Sequence, residues 1–146
     1  MPEIIMMIGL PGSGKSTYTK KHYPNHAHLS SDGYIDDYAD LFGITYNDAY
    51  PLYRAQAGVL FRNDVQYHIS KRHDIVIDRT NMNVKSRKST LAQLPKSYTK
   101  IAIVFPNIIN LDRPGKTISQ DTIDFFKSIY EPPTLEEFDH IKEISI

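Results

Sequence analysis

The apolar run Glu3 to Ile8, EIIMMI, stops at a glycine, and Gly9 to Ser16 then reads GLPGSGKS. This junction constrains the fold more tightly than any other stretch. A short apolar run with no polar alternation is the pattern of a strand buried on both faces, and such strands belong to parallel sheets. The residues SGKSTYTKKH that follow read as the opening of a helix, which Pro24 and Asn25 break. Strand, glycine turn and helix in that order gather backbone N–H groups at a helix N-terminus, where partial positive charge accumulates.

Gly9 to Ser16 matches the pattern GxxxxGK[ST], the P-loop. Glycines let the backbone approach phosphate oxygens closely, Lys15 reaches the β- and γ-phosphates, and the Ser16 hydroxyl can ligate Mg²⁺. A chain of this length meets the pattern by accident on the order of once in a few hundred cases. The flanking strand and helix further favour a nucleotide site over a chance glycine turn. Gly12, Ser13, Gly14, Lys15, Ser16 and Thr17 are therefore the expected nucleotide-binding residues.

The rest of the chain alternates strands with helices. His28 to Ser30 reads as a short second strand, Asp74 to Asp78 (DIVID) as a third, and Lys100 to Phe105 (KIAIVF) as a fourth, with Glu143 to Ile146 a short last one. The longest helical candidate is Asn47 to Arg72, where Tyr53, Ala57, Phe61, Val65 and Ile69 form an apolar stripe. Val84 to Leu94 reads as a basic helix and Ser119 to Tyr130 as another, stopped by Pro132 and Pro133. This predicts an α/β fold with a parallel central sheet flanked by helices, formed as one domain over residues 1–146.

Ligands in such folds bind at the carboxyl ends of strands, which directs attention to Asp32 and to Asp78 through Asn81. Asp78 is expected to hold Mg²⁺ or its water shell, although it could instead cap the next turn. Arg79, Thr80 and Asn81 either bind phosphate or fix their loop. Asp32 suits a base that takes a hydroxyl proton, and equally suits a helix cap alongside Ser30 and Ser31. Arg113 and Lys116 flank a Pro-Gly turn and are expected to form a mobile basic segment over the phosphates, with Arg113 favoured for its planar guanidinium. Lys85, Arg87 and Lys88 read either as a contact to a polynucleotide backbone or as a solvated helix face. His22, His26 and His28 lack a completing ligand and read as loop and surface residues rather than a metal site.

Lys plus Arg balances Asp plus Glu, 17 against 17, which argues against a protein that coats nucleic acid non-specifically but leaves room for a local basic patch. The absence of Cys removes disulfides, thiolate metal sites and cysteine nucleophiles. No apolar run reaches membrane-spanning length and no secretory signal pattern opens the chain, so a cytoplasmic protein with no membrane partner is expected.

Five segments in order, GLPGSGKST, SSDGYIDDYA, IVIDRTNMN, DRPGKTIS and YEPPTLEEFDHI, resemble the kinase domain of phage-type 5′-polynucleotide kinases and their AAA-like P-loop kinase relatives. That resemblance implies transfer of the ATP γ-phosphate to the 5′-hydroxyl end of DNA or RNA. It implies Lys15 and Ser16 on ATP and Mg²⁺, Asp32 as general base, and Arg113 as the arginine on the transferred phosphate. The family carries arginines where this chain has Ile35 and Ile109, and an acid where it has Arg79. Two other readings stand beside it: a kinase of a nucleoside or metabolite hydroxyl, and a regulator that binds nucleotide without transferring phosphate.

Overall fold

The computed structural model describes residues 1–109 and 114–145. Five strands, β1 (Glu3–Ile8), β2 (Ala27–Leu29), β3 (Ile75–Asp78), β4 (Thr99–Val104) and β5 (His140–Glu143), form one sheet in the order β2-β3-β1-β4-β5. Every neighbouring pair is parallel. Five helices connect or flank them: α1 (Lys15–His22), α2 (Ser31–Phe42), α3 (Tyr46–Ser70), α4 (Val84–Leu91) and α5 (Gln120–Ile129). The α/β fold with a parallel sheet flanked by helices is the one the sequence predicts.

Alternation along β1 explains its unbroken apolarity. Ile4, Met6 and Ile8 pack against Phe61 and Val65 of α3 and Ile75 and Ile77 of β3. Ile5 and Met7 face the other way, with Val76, Ile103 and Phe105, and with Tyr18 of α1 at the margin. Both faces are therefore dry, and β1 sits at the centre of the sheet. Truncating a buried residue here, such as Met6, costs about 2–5 kcal/mol. The expected stripe on α3 is the packed one: Ala57, Phe61 and Val65 are buried, with Tyr53 and Ile69 half-buried. A second small core joins α2 to α3 through Ile35, Ala39, Ala49 and Ala57.

Three expectations shift. The second strand lies one residue earlier than His28–Ser30. Ser30 is the N-cap of α2, so Asp32 falls inside the first helical turn rather than at the cap. The last strand is β5 at His140–Glu143, not 143–146, and Ile146 lies outside the described residues. β5 is an edge strand with mostly exposed polar side chains, so no apolar run marks it. Among the described residues no helix is long and apolar enough to cross a membrane.

Candidate active site

The carboxyl end of β1 opens into a cleft of about 2060 Å³, lined by the P-loop, Asp32, Asp78, Arg79 and Lys116. A single small-ligand pocket takes roughly 300–1,000 Å³, so the cleft has room for a nucleotide and a second substrate.

At its floor, Gly14 caps α1 with φ of 96°, a left-handed conformation natural to glycine, and offers no side-chain cap bond. The first N–H groups of α1 are thus left to a ligand. Lys15 is buried, and its Nζ donates to the carbonyls of Gly9 at 3.0 Å and Leu10 at 2.8 Å. Burial pulls the Lys15 ammonium down to about 8, against the opposing fields of Asp78 and Asp32, while Lys116 lowers it further. The buried Ser13 Oγ has no hydrogen-bond partner among the described residues. Among the described residues, an ammonium met only by carbonyl oxygens and a buried hydroxyl without a partner, both beside the N-terminus of α1, fit a polyphosphate.

Asp78, at the end of β3, accepts a hydrogen bond from His28 Nε2 at 2.7 Å. His28 is thus not the loop or surface residue that the sequence suggests, but part of strand β2. Its place follows from the parallel pairing of β2 with β3, which sets His28 beside Val76, two residues short of Asp78. His26 pairs instead with Glu3 at 2.8 Å. Among the described residues no cluster of three His, Cys, Asp or Glu side chains could hold a metal. A Mg²⁺ held by Ser16 and Asp78 would therefore draw its other oxygens from phosphate and water, the usual manner for this ion.

The β3–α4 loop is fixed by its own residues. Gly9 N–H donates to Thr80 O at 3.1 Å, and Asn81 Nδ2 donates to Met7 O at 2.7 Å. Asn81 is thus a loop pin. Arg79 instead lies on the cleft side, its guanidinium 4.8 Å from the centre of the Phe61 ring. Burial lowers its proton affinity, Asp32 opposes this, and nearby Arg62 adds to it.

Across the cleft, Asp32 is half exposed and both its oxygens are engaged. Oδ1 accepts from the Tyr46 hydroxyl at 2.6 Å and Oδ2 from Lys116 Nζ at 3.1 Å. The Tyr46 phenol is held well above its usual range, first by burial and then by the bond to Asp32, so it stays a donor. No sequence pattern links Tyr46 to Asp32; the pair becomes visible once α2 packs on α3. Arg113, the favoured cation of the basic segment, lies outside the described residues.

Arg87 departs from both of its sequence readings. It is fully buried, paired with Glu137 through Nε–Oε1 at 2.9 Å, and donates to the carbonyls of Asn81 and Glu131. Lys85 and Lys88 remain exposed. A buried arginine in a KSRKS run looks like a surface one because its partner is 50 residues away.

A family model described as an AAA domain matches residues 4–108, well over half of the chain. The chain belongs to the AAA domain family. This AAA domain also superposes on solved structures. A protein of Chloroflexus aurantiacus assigned as a kinase matches with a TM-score of 0.66 at 15% identity, over 98% of this chain and 87% of that one. A gluconokinase from Sinorhizobium meliloti matches with a TM-score of 0.57 at 14% identity, over 98% and 82%. A chain of a Pnkp1/Rnl/Hen1 complex matches with a TM-score of 0.53 at 17% identity, over 80% of this chain and 43% of that one. At these identities the likeness is one of fold, a kinase-like P-loop domain. No curated protein sequence matches the chain.

Proposed function

We propose that this AAA domain is a phosphotransferase that moves the γ-phosphate of ATP, with Mg²⁺, to the 5′-hydroxyl end of a polynucleotide. The observation that carries the transfer reading is a carboxylate and a buried ammonium facing one cleft: Asp32 lies close enough to Lys15 to shift its proton affinity. Lys15 and the α1 N-terminus would hold the β- and γ-phosphates, and Ser16 and Asp78 would hold the metal. Mg²⁺, when bound, neutralises charge on the phosphate oxygens. Asp32 accepts the proton of the attacking hydroxyl as the new P–O bond forms and the bond to the β-phosphate oxygen breaks. Arg113 acts on the transferred phosphate.

The polynucleotide reading rests on the ordered sequence segments quoted above and on the cations of the acceptor side, where Arg54 and Arg79 line the cleft with Tyr50. A nucleoside or metabolite acceptor is the second reading. It is favoured by Ile35, which is buried between α2 and α3 and brings no charge to the cleft, and by Ile109, which packs on the Leu10–Met82–Ile123 cluster.

The test offers labelled ATP and Mg²⁺ with a 5′-hydroxyl oligonucleotide, its 5′-phosphorylated form, free nucleosides and gluconate. Label on the 5′-hydroxyl oligonucleotide alone supports the proposal, and label on a small acceptor supports the second reading. ATP binding without transfer to any acceptor would point to a non-catalytic regulator. Asp32→Asn is expected to lower transfer by about 10²–10⁴-fold while ATP still binds; full activity in that variant removes Asp32 as the base.

A further inference from the structure

The segment from Gly115 to Ser119 is docked on the start of α3 by several independent contacts. Gly115 O accepts from Asn47 N–H at 2.9 Å. Asn47 and Thr117 bond reciprocally, Nδ2 to Oγ1 at 2.9 Å and Oδ1 from the Thr117 N–H at 3.2 Å. Gly115 has φ of 78°, and a Cβ there would lie 2.8 Å from Thr45 Cβ, so this approach to α3 requires glycine. Ser119 caps α5 through Thr122 N–H. The segment is therefore held at both ends, and Lys116 is delivered to one place.

That place is between two functional groups. Lys116 Nζ lies 3.1 Å from Asp32 Oδ2 and 4.3 Å from the centre of the Tyr46 ring, and its side chain is only 15% exposed. Lys116 and Lys15 line the same cleft. An ammonium has three donors, and the bond to Asp32 uses one of them. A phosphate held by Lys15 and passed toward Asp32 would cross the space in front of Lys116.

We propose that Lys116 is a catalytic residue of this site, one ammonium that binds the Asp32 carboxylate and the transferred phosphate together. It aligns base and phosphate for in-line attack and offsets the charge that builds between them. The Tyr46 ring face supports the cation, and the Tyr46 hydroxyl fixes the other Asp32 oxygen. The proposal rests on the nucleotide-site reading above, and its test is a binding measurement that does not need transfer to occur.

The experiment is calorimetric titration of MgATP into Asp32→Asn and into Asp32→Asn combined with Lys116→Gln. With the carboxylate gone, a lysine that only tethers Asp32 has nothing left to do for nucleotide. If Lys116 touches the phosphate, the double variant binds MgATP about tenfold more weakly than Asp32→Asn alone. Equal affinities overturn the proposal. Lys116→Arg in the same background keeps the charge and is expected to recover most of the loss; failure to do so in a variant with an unchanged melting temperature also overturns it. Absence of phosphate transfer by the wild type, with this difference in binding intact, would remove the phosphotransferase reading and leave the phosphate contact standing.

Discussion

Arg87 and Lys15 are both buried cations, 0% and 7% exposed, yet their charges are met in opposite ways. Arg87 uses most of its N–H donors: Nε and Nη2 reach the Glu137 carboxylate, at 2.9 and 3.2 Å, and Nη1 donates to two backbone carbonyls. Among the described residues Lys15 donates only to carbonyls, and burial draws its proton affinity down to about 8. A buried charge with a complete set of partners holds the fold together, whereas one left short of an anion is a place where an anion binds. The same contrast separates two stretches that looked alike in the sequence as carriers of function. The PTLEEFD tail supplies Glu137 to Arg87, Phe138 to the core, and Asp139 to the Lys100 N–H, all structural tasks.

Replacing each cation tests the contrast most directly. Lys15→Met is expected to reduce phosphate transfer by about three orders of magnitude. Its melting temperature should hold or rise, because an under-paired ammonium leaves a buried position; a fall in stability would break the comparison. Arg87→Met is expected to destabilise by about 3–5 kcal/mol in urea unfolding, since Glu137 is left charged and largely buried. A loss under about 1 kcal/mol would show that Arg87 is not the keystone its bonds suggest.

The pH dependence sharpens the Lys15 half. Its folded value lies below the unfolded one, 10.5 against about 8, so the unfolded chain binds more protons between them. The burial cost is present below pH 8 and is relieved as pH rises toward 10.5, which makes this group's contribution to stability grow over that window. Bound phosphates favour the charged form. ATP affinity should be flat with respect to this group just below pH 8, then fall by up to about tenfold per unit above it. Titration in buffers of different ionisation enthalpy should register proton uptake above pH 8, and its absence would mean that Lys15 stays charged in the free site. The smallest effect is Glu137→Gln, which keeps the shape and one good acceptor for Arg87. It is expected to cost about 1–2 kcal/mol in the same urea assay, and a loss equal to that of Arg87→Met would mean that charge alone governs the site.

Where an element depends on its own residues, it was readable in advance. β1, the P-loop and α1 fall where the apolar run, the glycines and Pro24 place them, and β3 ends at Asp78 as its pattern predicts. Edge strand β5 carries no sequence pattern that places it, because an edge needs no apolar signature. Ser30, Ser31 and Asp32 all suit an N-cap, and only backbone geometry selects Ser30 at the start of α2.

The order of residues along the chain thus determines the P-loop end of the cleft, since a strand, a tight turn and a helix start use contacts between near neighbours. Only the folded sheet and the packing of α2 on α3 could decide the other end. Asp32 meets Tyr46 across 14 residues and Lys116 across 84, Asp78 meets His28 across 50, and Arg87 meets Glu137 across 50. No local periodicity encodes such pairs. They form because strand order and helix packing bring distant backbone to within a side chain's reach, where burial then makes each partner necessary.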